Sequence, residues 1–325
     1  MHARVARLDR TGGPEVIEWH DVDLPPPAPG EVTVRHEAVG LNFIDVYHRN
    51  GVYPVTFPAG LGFEAAGVVE AVGEGVVEVA VGDRVGSFTG HRGAYASVRN
   101  VDAGDVVKLP DSVDAKTAAA LLLKGCTAEF LIERCAKVQA GQIVLVHAAA
   151  GGVGHLLVGW LKAIGATVIG TAGTAEKVER VKAAGADHVL HSRDDDVALR
   201  VRALTGGVGV PVILDGVGKA TWPVSLNCAA RRGLIVSYGN ASGTIEGVNL
   251  GVLAAKGSLF LTRPTLFDYC VTRAEKQASV DRVFAMLAAG AIRPEIGREF
   301  PLEDAAEAHR ALEAGETFGS NVLVV

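Results

Sequence analysis

Cysteine is scarce. The four in these 325 residues, Cys126, Cys135, Cys228 and Cys270, never form a C-x-x-C, so neither a disulfide framework nor a structural zinc lobe is expected, and reduced thiols fit best. No block of Lys and Arg stands apart from compensating acids, and the formal net charge is −6. That balance argues against a nucleic-acid face and for a small-molecule partner. The run Met1 to Asp9 lacks an apolar stretch of signal length, and no segment approaches a membrane span, so the expected setting is cytoplasmic. Catalytic signatures are missing too. No histidines form H-E-x-x-H, and no Tyr is followed four positions on by Lys, the proton relay of short-chain dehydrogenases. Gly239-Asn-Ala-Ser-Gly243 sets Ser242 off the elbow position of Gly-x-Ser-x-Gly, which leaves a hydrolase without its nucleophile.

What is present is 49% hydrophobic residues, enough for two cores, and a glycine turn in a telling context. In Val144-Leu-Val-His-Ala-Ala-Ala-Gly-Gly-Val-Gly154 a buried strand runs into a small-residue turn and then a helix. Backbone N–H groups of such a turn, with the helix dipole behind them, suit a dinucleotide's diphosphate provided no bulky side chain blocks its approach. Ala150, Gly151, Gly152 and Val153 are the expected contacts. The literal G-x-G-x-x-G is broken at Ala149, so the argument rests on order: strand Gln142 to His147, helix Val153 to Ile164, strand Ala166 to Gly170.

Around this stretch the chain divides by period. Ala3 to about Pro110 shows short β-branched or alternating runs, such as Val32-x-Val34-x-His36-x-Ala38, Gly67 to Val72 and Ala94 to Val98, broken by Gly- and Pro-rich turns, and predicts a compact β domain. Asp111 to Lys137 is helical and marks the boundary. Beyond the glycine turn, helices at Thr174 to Ala184, Asp194 to Leu204 and Lys219 to Ala230 alternate with strands at His188 to Leu190, Val210 to Asp215, Leu234 to Tyr238 and Ser258 to Leu261. This predicts a doubly wound parallel sheet, hence an α/β fold. Two amphipathic helices, Arg273 to Gly290 and Leu302 to Ala314, and a strand from Asn321 to Val325 complete the chain.

The second strand decides which dinucleotide. An NAD site places an acid at its end to take the ribose hydroxyls, whereas Ile169-Gly-Thr-Ala-Gly-Thr174 has none before Glu176. A 2′-phosphate is tolerated there, and Lys177 on the next helix offers it a point charge, so NADP(H) is favoured.

Seven runs, Gly40-Leu-Asn-Phe-Ile-Asp-Val-Tyr47, Gly60-Leu-Gly-Phe-Glu-Ala-Ala-Gly67, Gly82-Asp-Arg-Val85, Leu123-Lys-Gly-Cys-Thr-Ala128, His147 to Gly154, Ser237-Tyr-Gly-Asn240 and Gly257 to Pro264, resemble in order and spacing the zinc-independent medium-chain dehydrogenase/reductases, specifically the NADPH:quinone oxidoreductases related to zeta-crystallin. The resemblance implies a GroES-like catalytic domain from residues 1–123 and 264–325, with a Rossmann NADP-binding domain, 124–263, inserted. It implies a homodimer through the strand near Gly257 to Thr262, whose apolar edge would otherwise invite association. Where zinc-dependent relatives carry Cys, His and Cys, this chain has Asn42, Phe63 and Lys124, none a usual zinc ligand, so no metal is expected.

Carried over residue by residue, the resemblance assigns nicotinamide and diphosphate contacts to Asn42, Phe43, Ile44, Asp45, Tyr47, Phe130, Gly152 and Val153, with Thr127 at the ring. Gly173, Thr174 and Lys177 go to the adenosine end. Ser237, Tyr238, Gly239 and Asn240, with Leu261, Thr262 and Arg263, line the ring and the floor beneath it. Tyr47 and Tyr53 are candidates for a quinone-facing wall, and Asn42 and Lys124 for donors to a developing oxyanion. Ser192 and Gly315 stand where similar bacterial proteins often place a Tyr and an Arg at the 2′-phosphate, with Arg193 or His191 as substitutes. The implied reaction is hydride transfer from NADPH to a quinone. A reductase of α,β-unsaturated carbonyls shares the same motifs, and a non-catalytic NADPH-binding or RNA-binding protein is the reading from another class, the latter opposed by the acidic balance.

Overall fold

The computed structural model describes residues 1–325 and forms two compact units: Met1–Lys124 with Cys270–Asp281 and Pro294–Val325, and Gly125–Tyr269 with Arg282–Arg293. In chain order the elements are β1 (His2–Leu8), β2 (Glu18–Asp23), β3 (Glu31–Leu41), α1 (Phe43–Arg49), β4 (Ala59–Gly60), β5 (Ala65–Val72), β6 (Arg84–Ser87), β7 (Val98–Asp102), β8 (Val106–Lys108) and α2 (Ala115–Glu129). There follow β9 (Ile143–Val146), α3 (Gly152–Ala163), β10 (Thr167–Ala172), α4 (Ala175–Ala183), β11 (His188–His191), α5 (Val197–Leu204), β12 (Val210–Asp215), α6 (Trp222–Cys228), β13 (Ala229–Ser237), α7 (Gly251–Ala255), β14 (Phe260–Thr262) and α8 (Leu266–Tyr269). The chain closes with α9 (Arg273–Ala288), β15 (Ile296–Pro301), α10 (Ala305–Glu313) and β16 (Ser320–Val324). No helix is long and apolar enough to cross a membrane.

The first unit holds a three-stranded sheet, β2-β1-β4, and a seven-stranded sheet, β15-β16-β3-β5-β6-β8 with β7 also on β3. Strand β3 carries the predicted alternation: Val32, Val34, His36 and Ala38 are buried while Arg35 and Glu37 face out. Its partners come from both ends of the chain, since Asn321 to Val324 pair with Leu41 to Ala38. Leu8, Leu41, Leu61, Tyr95 and Leu323 then share one core with the inner face of α10.

The second unit is one parallel six-stranded sheet, β11-β10-β9-β12-β13-β14, a Rossmann-type, doubly wound arrangement as the alternation predicts. Its strands read as near-continuous apolar runs because both faces are covered.

Three local expectations need correction. The segment Ala94 to Val98 is not a regular strand: only Ala96 bridges, to Val5, and β7 begins at Val98. Ala94 and Tyr95 spend their amides on the carbonyls of Gly62 and Leu61, which turns the Tyr95 ring inward. The helix expected through Lys137 widens to a π-turn at Phe130–Cys135. There Phe130 stacks on Tyr269 with centroids 4.4 Å apart, and Arg134 donates to the Tyr269 carbonyl at 2.7 Å. The helix expected over Lys219 to Ala230 is shorter, because Lys219 and Ala220 bond to Gly243 and Ser242, Pro223 opens the first turn, and Ala229 already belongs to β13.

Candidate active site

In the first unit, β3 ends where α1 begins, and Asn42 is the residue between them. It adopts extended backbone angles as N-cap, and its own N–H donates to Asp45 Oδ2 at 3.0 Å, the acidic half of a capping box. The Asn42 amide is turned elsewhere: Nδ2 donates to Glu64 Oε2 at 2.9 Å. Lys124, near the middle of α2, donates to the same oxygen at 3.1 Å, and Leu123 N donates to Glu64 Oε1 at 2.8 Å. Glu64 is fully buried and Lys124 nearly so. Gly40 leaves the room for this, since a Cβ there would overlap the Glu64 carboxylate. Thus the two residues expected to serve a developing oxyanion are gathered around one buried acid, Glu64, which the Gly60 to Gly67 run carries without any role expected for it. Only the position of a charged residue inside an apolar stretch signalled it.

Asp45 starts a second chain of contacts. Tyr95 OH donates to its Oδ2 at 3.1 Å, His309 Nε2 lies 3.0 Å from the Tyr95 oxygen, and Arg49 NH1 lies 3.2 Å from His309 Nδ1. Arg49 is in turn bidentate to Glu313 at 2.8 and 2.7 Å. A guanidinium only donates, so His309 Nδ1 must accept, which puts the ring proton on Nε2 and sends it to Tyr95. Burial holds the His309 imidazole down at about 3, neutral throughout the physiological range. Burial also pushes Asp45 up to about 7 against the bonds from Asn42 and Tyr95 and the charge of Lys124. Its Oδ1 is buried with no hydrogen-bond partner.

The other predicted residues of this unit lie along α1. Phe43 and Tyr47 are tilted neighbours at 6.0 Å, Tyr53 meets Tyr47 edge-on at 5.3 Å, and the Ile44 carbonyl lies 2.8 Å from His48 Nδ1. Phe63 rests against His48, with centroids 5.4 Å apart.

In the second unit the turn after β9 is shaped for an anion. Ala148 takes a left-handed φ of 51°, its N–H donating to Thr171 Oγ1 at 3.3 Å, so the chain reverses before reaching the glycines. A Cβ on Gly154 would overlap the Ala148 carbonyl, which is why the helix can start so close to the strand. No side chain caps α3, so the N–H groups of Gly152 and Val153, with Ala150 before them, remain for a ligand at the positive end of a twelve-residue helix, while Gly151 N closes the turn on the Ala148 carbonyl at 3.0 Å. Beneath the turn His147, Ser225 and Asp215 form a buried brace: Ser225 Oγ donates to Asp215 Oδ2 at 2.8 Å and sits 3.2 Å from His147 Nε2. Ser225 donates to the carboxylate, so it is no activated nucleophile.

At the end of β10 lie Gly173, Thr174 and Lys177, with Thr174 Oγ1 capping α4 by accepting Lys177 N at 3.3 Å. Ser192 follows β11 alongside. Ser237 ends β13, its carbonyl accepting from Arg263 NH1 at 2.7 Å. Tyr238 N bonds to Asp215 O at 2.8 Å, Gly239 and Asn240 continue that loop, and Leu261 and Thr262 pair with Ile235 and Val236. Thr127 is buried on α2, and Phe130 is buried against Tyr269. For a zinc ion the donors at Asn42, Phe63 and Lys124 do not fit: an amide and an ammonium already donate to Glu64, and a phenyl ring has no lone pair to offer. The one cluster of three potential ligands, Asp9, Glu18 and His20, belongs to β1–β2, where Arg7 holds Asp9.

Residues 28–111 match the family described as alcohol dehydrogenase GroES-like domain, and residues 152–288 the one described as zinc-binding dehydrogenase. The chain is 48% identical to the quinone oxidoreductase of Pseudomonas aeruginosa, over 96% of this chain and 97% of that protein. It is 41% identical to a 2-haloacrylate reductase of a Burkholderia species, over 98% of each. The crystal structure of Escherichia coli quinone oxidoreductase complexed with NADPH superposes with a TM-score of 0.97 at 43% identity, covering 99% of this chain and 100% of that one. With a GroES-like unit and a Rossmann-type unit that both match, the chain belongs to the quinone oxidoreductase family of medium-chain dehydrogenase/reductases.

Proposed function

We propose that the chain transfers hydride from NADPH to a quinone without a metal, with residues 1–123 and 264–325 as the catalytic domain and 124–263 as the NADP-binding domain. The observation that carries this reading is the pairing of an uncapped helix N-terminus after β9 with an end of β10 that has no acid before Glu176 and has Lys177 beside it. The name and the bound NADPH of a relative alike over its whole length support it. When bound, the dihydronicotinamide supplies the hydride. A quinone is already electrophilic, so the protein's part is to hold two rings face to face and exclude water, which can lower a barrier by several kcal/mol. Asn42 and Lys124, fixed by Glu64, keep N–H groups in a set geometry; an ammonium has three, of which Glu64 takes one. Tyr47 and Tyr53 form the aromatic wall.

The reading is tested by following NADPH oxidation with 1,4-benzoquinone, 9,10-phenanthrenequinone and small enones. Quinones should turn over fastest. A clear preference for enones would instead establish the alkenal-reductase reading, which the 2-haloacrylate reductase relative favours. Zinc in protein purified without chelator is expected well below one equivalent, and a full equivalent surviving dialysis would overturn metal independence. Lys177→Ala should raise KM for NADPH about tenfold and leave that for NADH nearly unchanged, as loss of one charge-assisted phosphate contact implies; equal changes would remove Lys177 from the phosphate.

We also propose a cytoplasmic homodimer joined at β14. That strand is the sheet's edge, and its Phe260 is 62% exposed, an apolar edge of the kind that is covered in stable proteins.

A further inference from the structure

Ala148 is the pivot of the turn after β9. A left-handed φ is unfavourable for a residue with a Cβ, so its φ of 51° persists only because neighbours hold it. Its carbonyl accepts from Gly151 N at 3.0 Å, the next amide, Ala149 N, reaches the Thr171 carbonyl at 2.9 Å, and its own N–H is turned down to Thr171 Oγ1 at 3.3 Å. The last of these is a side-chain contact. It opens a polar run that crosses the ends of β10, β9 and β12.

The direction of each bond in the run follows from its far end. A carboxylate only accepts, so the Ser225 proton points to Asp215 Oδ2 at 2.8 Å, and Ser225 Oγ accepts from His147 Nε2 at 3.2 Å. With its proton on Nε2, the neutral ring accepts at Nδ1 from Thr171 Oγ1 at 3.2 Å, which leaves that oxygen's lone pairs to the Ala148 N–H. Burial keeps the His147 imidazole below its ordinary value, against the charge of Asp215. All four side chains are buried. Asp215 Oδ1 accepts in turn from Val217 N at 2.9 Å, Gly218 N at 3.2 Å and Thr221 Oγ1 at 2.8 Å, so the far end is fixed to the loop after β12. A hydroxyl that donates toward a carboxylate accepts more strongly, and the gain passes along the run to Ala148.

We propose that Thr171 and His147 are positioning residues for the coenzyme: by tying the Ala148 amide to the Asp215 carboxylate they set the turn that presents the N–H groups of Ala150, Gly152 and Val153 to the diphosphate, a step that rests on the nucleotide reading above. Neither side chain has to touch the ligand. Loss of the Thr171 hydroxyl would leave the Ala148 N–H and His147 Nδ1 without these partners, and the pivot could then carry the amides out of register. NADPH and NADH share the diphosphate, so the run serves both alike.

The test is calorimetric titration of the whole protein and of Thr171→Val, Thr171→Ser and Ser225→Ala with NADPH, NADH and ADP-ribose, joined to hydrogen exchange of the Ala148 amide without ligand. Thr171→Val keeps the shape and removes the hydroxyl, and is expected to weaken all three ligands by one common factor of about tenfold and to speed Ala148 exchange about as much. Thr171→Ser restores the hydroxyl and should stay within about twofold of the parent, while Ser225→Ala, which cuts the run further from the turn, should weaken each ligand about threefold. Residues that only stabilise the fold would lower the urea midpoint and leave these affinities unchanged. That result in Thr171→Val, or in Ser225→Ala should the first variant not fold, would overturn the assignment and leave the nucleotide reading standing. Thr171→Ser binding as weakly as Thr171→Val, or a loss confined to NADPH, would overturn it too. Unmutated protein that binds none of the three ligands would overturn the nucleotide reading, and the assignment with it.

Discussion

Lys124→Ala is expected to cost roughly 3–5 kcal/mol of stability, the range for removing one partner of a buried ion pair. The reason lies with the group left behind. Glu64 is fully buried, and with Lys124 gone its carboxylate keeps Asn42 Nδ2 and Leu123 N but no cation. The double variant Lys124→Met with Glu64→Gln should recover most of the loss, because no uncompensated charge then remains in the core. Urea unfolding, with hydrogen exchange of the β3 and α1 amides to identify the unit that loosens, reads both. A single variant within about 0.5 kcal/mol of the parent would mean the pair is not a structural charge sink, since that is the scale of an ordinary surface substitution. The pair has a chemical meaning as well. Where relatives of another type hold a cation with protein ligands, this chain carries its own cation on α2, and Glu64 orients it. Asn42 and Lys124 are held on Glu64 in a set geometry, and in the proposed reaction that is the condition for donors to act without reorganising.

The contrast between what the residues announced and what they concealed follows from distance along the chain. The Rossmann sheet was legible because strand, glycine turn and helix lie within about twenty residues, and each step has a local cause: β-branched runs, clearance at Gly154, a hydroxyl cap at Thr174. The β-rich unit was legible through alternation in β3. The chain Asp45–Tyr95–His309–Arg49–Glu313 was not. Its members come from α1, an irregular segment and the C-terminal helix α10, and nothing in the neighbours of His309 distinguishes a neutral buried imidazole from a solvated one. Tyr95 was hidden for a second reason: a strand reading of Ala94 to Val98 hides its turn inward.

Asp45→Asn is expected to gain stability over the parent as pH rises. The carboxyl is raised in the folded chain to about 7, from about 3.8 when exposed, so between these values the folded state binds the extra proton. Its favourable contribution is complete below about pH 3.8 and is lost as pH climbs through 7. A shift of that size corresponds to about 4 kcal/mol, set against the unbonded Oδ1 that must carry charge in the core above pH 7. Asparagine is nearly isosteric, keeps an oxygen to accept from Asn42 N and Tyr95 OH, and never ionises. The variant-minus-parent difference should therefore swing by a few kcal/mol toward the variant between pH 5 and pH 9. The other groups facing this carboxyl, Tyr95, His309, Arg49, Lys124 and Glu64, are common to both proteins and cancel in the difference to first order. His309 on its own would give the opposite slope, because a folded value of about 3 makes its contribution fall as pH drops below its exposed value. Unfolding midpoints in urea at pH 5, 7 and 9 measure the swing. A pH-independent difference would mean that Asp45 is ionised throughout that range, with its bare oxygen stabilised by something other than a proton.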